Sequence, residues 1–415
     1  MSKLVDVQAE LERLFVSEFN ETIDFSLVAE EQEGERIAVI RTSDRNAFRQ
    51  CRRKWAFSSH LRGNIGPIQN AAPLWFGTGF HFVMEDYHGL RRFHNPLDAW
   101  DAYHKASLRH DPKKVPDDHA DLGKMAYSML SYYLKWEERR KASLLPTLVI
   151  DGVPQVEVNF RIDIPLDPEM LKRYGYDKAV YSGTIDRVVW DPATGLIWLL
   201  DYKTAKMFQT QHFMTDSQIT TYCWAASEMY PMPVAGMIYA QHLKTMINPP
   251  KPLKSGKLST AANQRTSHIL YREGLIDLHG SVAAASVAEQ DYLNKLAQEE
   301  DDRYDKFIRY DYIPRSQRMQ ESEGVKILME CEDMLNPDLP LYPNPSRDCA
   351  HMCSFNSVCI SMDDGSDYED ELRQNFAPRP AEYDGWREAI VWPEEAAAAE
   401  AESAQRAESF KMFDI

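Results

Sequence analysis

The chain has 415 residues, 44% hydrophobic and 27% charged, enough to bury a core while keeping a polar surface. No run of about 18 apolar residues occurs, so no membrane-spanning helix is expected. The net charge of −17 argues against a nucleic-acid partner, but fifteen acids against five bases fall between Asp363 and Ile415, leaving −7 for Met1–Met362; local field, not net charge, governs phosphate binding.

Residues 1–40 read as a helical lead-in, since "MSKLVDVQAELERLF" is amphipathic and acidic, unlike a signal peptide, and a polar connection follows. A cytoplasmic protein is expected. With Ser43 as N-cap, "SDRNAFRQCRRKWAF" predicts one basic helix, with Phe48, Cys51 and Trp55 at helical spacing. Its Arg45, Arg49, Arg52 and Arg53 are candidate phosphate contacts, or equally a solvated helix face. "FGTGFHFVMEDYHGL" (76–90) predicts a second helix, opened by a glycine turn, and residues 95–150 read as mostly helical.

Four strands are expected at 155–165, 181–190, 195–204 and 234–243, with a helix near 212–229 between the last two. That order predicts an α/β core with helices on the sheet faces. Residues 248–268 read as a flexible loop and 280–308 as a long polar helix. The last forty residues read as disordered or loosely helical.

"RVVWDPATGLIWLLD" places the turn signal "DPATG" between two apolar runs, which predicts a β-hairpin over Tyr181–Thr204. A symmetric register sets Asp186 opposite Asp201, Val188 opposite Leu199 and Trp190 opposite Ile197. Opposed side chains lie about 5 Å apart at Cβ, and alternation puts Lys203 on the face of Asp201. Two carboxylates and an ammonium above an apolar floor suit a divalent cation with phosphate, the lysine orienting or deprotonating a water. A structural Asp–Lys pair is the plainer reading of the triplet alone.

These residues resemble the core of the PD-(D/E)XK nuclease superfamily, and further motifs resemble its RecB-like exonuclease branch. Gly77-x-x-x-His81 is similar to that branch's histidine motif, Gln218-x-x-x-Tyr222 to its Q-x-x-x-Y motif, and Glu157 stands where many relatives carry an acid. Singly, each has a plain reading: a solvated stripe of His81, Glu85 and His88, a surface pair, a solvent-facing glutamate. The resemblance implies a restriction-endonuclease-like α/β fold, a mixed central sheet flanked by helices with a large helical part. It implies Mg²⁺ or Mn²⁺ held by His81, Asp186 and Asp201, a water positioned by Lys203, and Gln218 and Tyr222 steadying the lysine or the DNA.

Cys349-x3-Cys353-x5-Cys359 needs a fourth thiolate for a tetrahedral sulfur site, and Cys51 is the natural donor. "FRQCRRKWAF" resembles the first-cysteine segment of iron–sulfur members of the same branch, such as AddB-type helicase–nucleases and CRISPR-associated exonucleases. The resemblance implies a 4Fe–4S staple, with Zn²⁺ as the alternative. The spacing departs from the pattern, three residues standing where relatives usually have two. His351 reads as a neighbouring loop residue, and Cys223 and Cys331 as packing residues.

The expected organisation is a lead-in (1–40), a nuclease domain (41–362, with 244–320 a possible insertion) and an acidic, flexible tail (363–415). No G-x-x-x-x-G-K-[ST] loop occurs, so no helicase is fused within the chain. The expected activity is DNA exonuclease action on free ends in recombination, repair or processing, as in phage relatives. A structure-specific endonuclease and a non-catalytic DNA-binding subunit are the rivals. The terminal "ESFKMFDI" could dock a protein partner, or simply solubilise the chain.

Overall fold

The computed structural model describes residues 26–68, 72–211, 213–379 and 385–395. The expected helix within 1–15 and the "ESFKMFDI" docking segment lie outside them.

Two strands open the described chain, β1 (Glu30–Gln32) and β2 (Glu35–Arg41), where a polar connection was expected. The reason is Ile37–Ile40, a short apolar run buried in the sheet. The expected single basic helix is two, α1 (Thr42–Gln50) and α2 (Arg52–Ser58), parted at Cys51, whose backbone is extended (φ −164°, ψ 122°). Asp44 rather than Ser43 closes the first turn, its carboxylate accepting from the Arg41 N–H at 3.0 Å. After β3 (Ile65–Pro67) come α3 (Ala72–His88), α4 (Pro96–His110) and α5 (His119–Arg140). Helix α3 runs through Gly77 and Gly79, so no glycine turn opens it. A Cβ at Gly79 would meet Tyr103 at 2.4 Å, which explains that glycine by packing.

The strands of the core follow. A short pair, β4 (Val149–Ile150) and β5 (Val153–Pro154), leads to β6 (Val156–Asp163). Then come α6 (Pro168–Arg173), β7 (Lys178–Asp191), β8 (Leu196–Ala205), α7 (Ser217–Met229) and β9 (Val234–Leu243). The β7–β8 hairpin turns as the sequence predicts. Asp191 accepts from Ala193 N (2.9 Å) and Thr194 Oγ1 (2.7 Å), and Gly195 takes φ +72°. Val188 pairs with Leu199 and Trp190 with Ile197, the expected register.

Residues 244–320 differ most from expectation. The segment before α8 (His268–His279) is tied down rather than loose, with Asn248 N donating to Arg265 O at 2.8 Å. In place of one helix over 280–308 there is α9 (Val287–Gln298), and "FIRYDYIP" forms β10 (Ile308–Pro314). Ile308 and Tyr310 pack on one face and Ile313 on the other, with Arg309 and Asp311 between them, which suits a strand at the sheet edge. Helix α10 (Gln317–Leu335) and the short α11 (Cys349–Met352) and α12 (Asn356–Asp364) follow.

The acidic tail also begins ordered. Helix α13 (Tyr368–Asn375) leads to β11 (Phe376–Pro378), which pairs with β3. Trp386 and Ile390 are buried, Trp386 lying 4.8 Å from the Tyr103 ring and 5.2 Å from that of Phe82. Acidic composition marked this stretch as loose, but a few large apolar residues suffice to anchor it.

The sheet is mixed, in the order β1-β2-β7-β8-β9-β10, with β6 on the other side of β7. Strands β8 and β9 run parallel through α7, and β7–β8 and β9–β10 run antiparallel. This is the expected restriction-endonuclease-like α/β arrangement. Val188, Ile197, Leu199 and Met237 pack on one face with α7 and α10 residues such as Ile219 and Ile327, and Cys223 and Cys331 are buried there. Val189, Leu200 and Ile238 pack on the other face with Phe80, Trp100, Leu130 and Trp136 of α3–α5. Among the described residues no helix is long and apolar enough to cross a membrane.

Candidate active site

The β7–β8 ladder ends at Arg187–Leu200, one residue short of Asp186 and Asp201. There the Asp186 carboxylate takes the place of a ladder carbonyl, accepting the Tyr202 N–H at 2.8 Å. Two residues along β8, Lys203 Nζ lies 2.7 and 2.6 Å from the Asp201 oxygens. Helix α3 brings His81 Nδ1 to 3.3 Å from Asp186 and 4.0 Å from Glu157 Oε1. Register puts Glu157 opposite Asp186, between the pairs Val156–Arg187 and Val158–Ile185. Its φ of +47° is a left-handed backbone inside a strand.

The sequence-predicted residues therefore converge. His81, Glu157 and Asp186 bring three ligand atoms within 4.8 Å of one another, and Asp201 and Lys203 lie alongside. On α7, Tyr222 faces the same group: burial and the charges of Asp201 and Asp186 push its phenol up. Gln218 stands one turn earlier on that helix, its N–H held by the capping Asp216. The stripe of His81, Glu85 and His88 is not a solvated one. Glu85 is clamped by Arg387 at 2.6 and 3.2 Å, and His88 is buried against the Tyr133 hydroxyl at 2.7 Å.

Electrostatics divide the acids. Burial would lower the His81 pKa, but Asp186 outweighs it and raises the imidazole to about 9. Burial also opposes ionisation of Asp186, yet His81 and Lys203 hold it below the ordinary carboxylate range. Burial raises Asp201 despite Lys203. Glu157 is pushed up to about 8 by burial and the charge of Asp186. Lys203 is raised because Asp201 and Asp186 outweigh its burial, so it stays an ammonium at neutral pH.

This donor set fits a divalent cation. It is oxygen-rich with one imidazole, and its opposed carboxylates repel unless a positive charge sits between them. The His81 proton now supplies that charge and must leave for a metal to bind.

Behind the site, Arg187 donates to the Tyr202 hydroxyl (3.2 Å) and to Thr147 Oγ1 (2.9 Å), so the face opposite Asp186 and Asp201 carries its own buried polar pair. The sequence held a signal for it. Strand alternation turns Arg187 and Tyr202 inward from runs read as buried, where each needs a partner. Arg387 was missed because the tail was read as loose.

Two of the four arginines expected on a phosphate-binding face are buried instead. Arg45 is 1% exposed, donating to Glu323 at 2.8 Å, to Thr221 at 2.7 Å and to Glu330. Arg53 is equally buried, bound to Asp363 at 2.9 Å and to Cys359 Sγ at 3.1 Å. Arg49 pairs with Ser217 and Glu330, and Arg52 stacks over Tyr342 with 5.0 Å to the centroid. Burial and these partners remove Arg45 and Arg53 from contact with DNA.

A second group lies at the other end of α1. Cys51, Cys349, Cys353 and Cys359 all line one cavity of about 150 Å³. N–H groups point at three of the sulfurs: Asn344 N at Cys51 (3.3 Å), Ser346 N at Cys349 (3.3 Å) and Arg53 at Cys359. Burial raises the Cys359 thiol, with Arg53 opposing. Among the described residues, no three of these sulfurs lie within 4.8 Å of one another. His351 is exposed and does not line the cavity.

Comparison with known families matches residues 42–360 to the PD-(D/E)XK nuclease superfamily. No curated protein matches the chain.

Proposed function

Since the chain belongs to the PD-(D/E)XK nuclease superfamily, whose members use divalent metals, we propose that it is a Mg²⁺- or Mn²⁺-dependent DNA exonuclease of the RecB-like branch. The observation that carries this is the convergence of His81, Glu157 and Asp186 on the Asp201–Lys203 end of one hairpin. His81, Asp186 and Asp201 would hold the ion, with Glu157 across the ladder as a further ligand. The ion supplies a Lewis acid at the scissile phosphate. Lys203, kept charged by Asp201 and Asp186, orients a water and offsets charge on the phosphoryl group rather than accepting a proton. Tyr222 and Gln218, on one face of α7, steady the lysine or the strand being cut. The six cysteines form no disulfide, which suits a cytoplasmic setting, and the branch suggests recombination, repair or DNA processing.

We further propose that Cys51, Cys349, Cys353 and Cys359 hold a 4Fe–4S cluster that ties α1 and α2 to α11 and α12. The shared cavity and the N–H groups aimed at sulfur favour thiolate ligands. The preference for 4Fe–4S rests on the resemblance to iron–sulfur members of the branch, and a single Zn²⁺ is the alternative for the same four thiolates.

The test is digestion of end-labelled linear DNA and a closed circle by anaerobically prepared wild type and Lys203→Ala, with Mg²⁺, Mn²⁺ or EDTA. Metal-dependent cleavage of the linear substrate alone, lost in the variant, is the expected result. Cutting of the circle indicates the endonuclease. Folded wild type that cuts neither indicates a non-catalytic DNA-binding subunit.

A further inference from the structure

The chain carries 64 acids among 415 residues, yet none falls between Met229 and Arg272 or between Tyr202 and Thr215. Both acid-free stretches leave the same end of the sheet, the C-terminal ends of the parallel neighbours β8 and β9. Lys203 pairs with Gln241 and Ala205 with Leu243, and Lys244 N donates to Ala205 O at 2.7 Å. The cations on these stretches differ from those of α1 and α2. Lys206, Lys251, Lys254, Lys257, Arg265 and Arg272 are exposed and make no ion pair among the described residues. Such a concentration of unopposed positive charge, in a protein of net charge −17, is a local field built against the overall balance.

Three of these lysines sit on a rigid support. Leu253 N donates to Lys257 O (2.8 Å), Ser259 N to Lys251 O (2.8 Å) and Gly256 N to Leu253 O (3.1 Å), which folds 251–259 into a hairpin-like turn. Gly256 takes φ +72° at its tip. The base is fixed as well. Lys251 N donates to Gln264 Oε1 (3.1 Å), Leu258 N to Glu289 Oε1 (2.7 Å) and the Tyr292 hydroxyl to Ala261 O (3.1 Å). The nearby acids are engaged elsewhere, Glu289 with Ser286 and His279, and Glu273 with Lys135. Lys251 stands seven positions after Lys244, a span of at most about 25 Å, or roughly seven base-pair steps of duplex.

We propose that the Lys251–Lys254–Lys257 hairpin is the grip for the sugar–phosphate backbone of the DNA substrate, holding the duplex beyond the hydrolytic site. This rests on the nuclease reading and adds a surface separate from the basic helix, whose Arg45 and Arg53 are buried. The contacts are to phosphate alone, so they bind without selecting sequence. Rigid placement of the lysines lowers the ordering cost of each contact.

The experiment compares wild type, Lys251→Gln/Lys254→Gln/Lys257→Gln and the corresponding triple arginine variant. Anisotropy of a labelled duplex several helical turns long is followed over a range of NaCl in Ca²⁺, alongside Mg²⁺-dependent cleavage. Removing three phosphate contacts lowers the slope of log K against log [salt] by about 2 to 3 and weakens low-salt binding by at least tenfold, while arginine restores both. An unchanged slope and affinity in the glutamine variant overturns the proposal. So does equal weakening in the arginine variant, because that would mark a structural effect. Cleavage by wild type reports on the nuclease reading separately, so either can fail alone.

Discussion

Glu157 stands across the β6–β7 ladder from Asp186, on a left-handed backbone with φ +47°. A glutamate in that conformation inside a strand costs about 1–2 kcal/mol, and its carboxylate adds repulsion with Asp186. Both costs are borne where the ligand atoms converge. The substitution Glu157→Gly removes the strain and the charge together. Its stability to urea in EDTA should therefore stay within about 1 kcal/mol of wild type, since relief of strain offsets the extra freedom of glycine in the unfolded chain. Cleavage should fall on the order of 10²–10³-fold, and the stabilisation that Mn²⁺ confers on wild type should shrink. A large loss of stability with full metal stabilisation would make Glu157 a structural residue only.

Arg45 gives the opposite pattern. Its guanidinium is buried between Glu323 and Glu330, and truncation strands an ionised Glu323 that is itself buried. Arg45→Met should cost about 3–5 kcal/mol in denaturant unfolding. The DNA affinity of the folded fraction and its salt slope should not change. A slope reduced by about one unit would return Arg45 to the phosphate contacts.

The hairpin was legible in the sequence because its determinants are local. "DPATG" fixes the turn, and the turn fixes the register of Val188 with Leu199. The misreadings share a cause, partners far away in the chain. Arg45 reads as a surface cation until Glu323, 278 residues on, is brought beside it. The break at Cys51 has no glycine or proline to announce it; it faces the Tyr342–Ser346 segment, whose Asn344 N–H reaches its sulfur. Strand β10 went unread because its edge position mixes Arg309 and Asp311 with the apolar residues and leaves no clear run. Of the candidate site, Asp186, Asp201, Lys203 and His81 could be named from motif and order. The fork that sets Glu157 against Asp186, and the Arg187–Tyr202 pair behind it, needed the fold.

Glu289 gives the pH dependence of the α8–α9 region. Burial would raise its pKa, but hydrogen bonds from Ser286, Leu258 and His279 overcome burial and hold it at about 2. A carboxylate depressed in the folded state stabilises the protein fully above its unfolded value near 4.5, and that contribution fades as pH falls toward 2. The protection of the Leu258 amide, taken relative to its intrinsic exchange rate at each pH, should therefore fall from about pH 4.5 downward in wild type, and not in Glu289→Gln. The contribution is about 1–2 kcal/mol once solvent screening is allowed for. A loss of protection of equal size in both proteins would assign the acid sensitivity to another group.

The cysteine cavity predicts how the two ends of the domain depend on each other. Cys51 lies 298 residues before Cys349, so ligation at these sites closes a very long loop, whose closure entropy the bound metal offsets. Arg53 and Asn344, which point N–H groups at the sulfurs, sit beside the walls that such a cluster would hold together. Cys353→Ser, purified anaerobically, should lose iron and acid-labile sulfide and melt at a lower temperature. The loss should be largest in protection of α1 and α2, because their C-terminal attachment runs through this cavity. The Asp201–Lys203 end of the hairpin, covered by its own helices, should keep its protection. A variant with unchanged melting and unchanged metal content would remove the staple, and zinc without iron in wild type would replace the cluster with a mononuclear site.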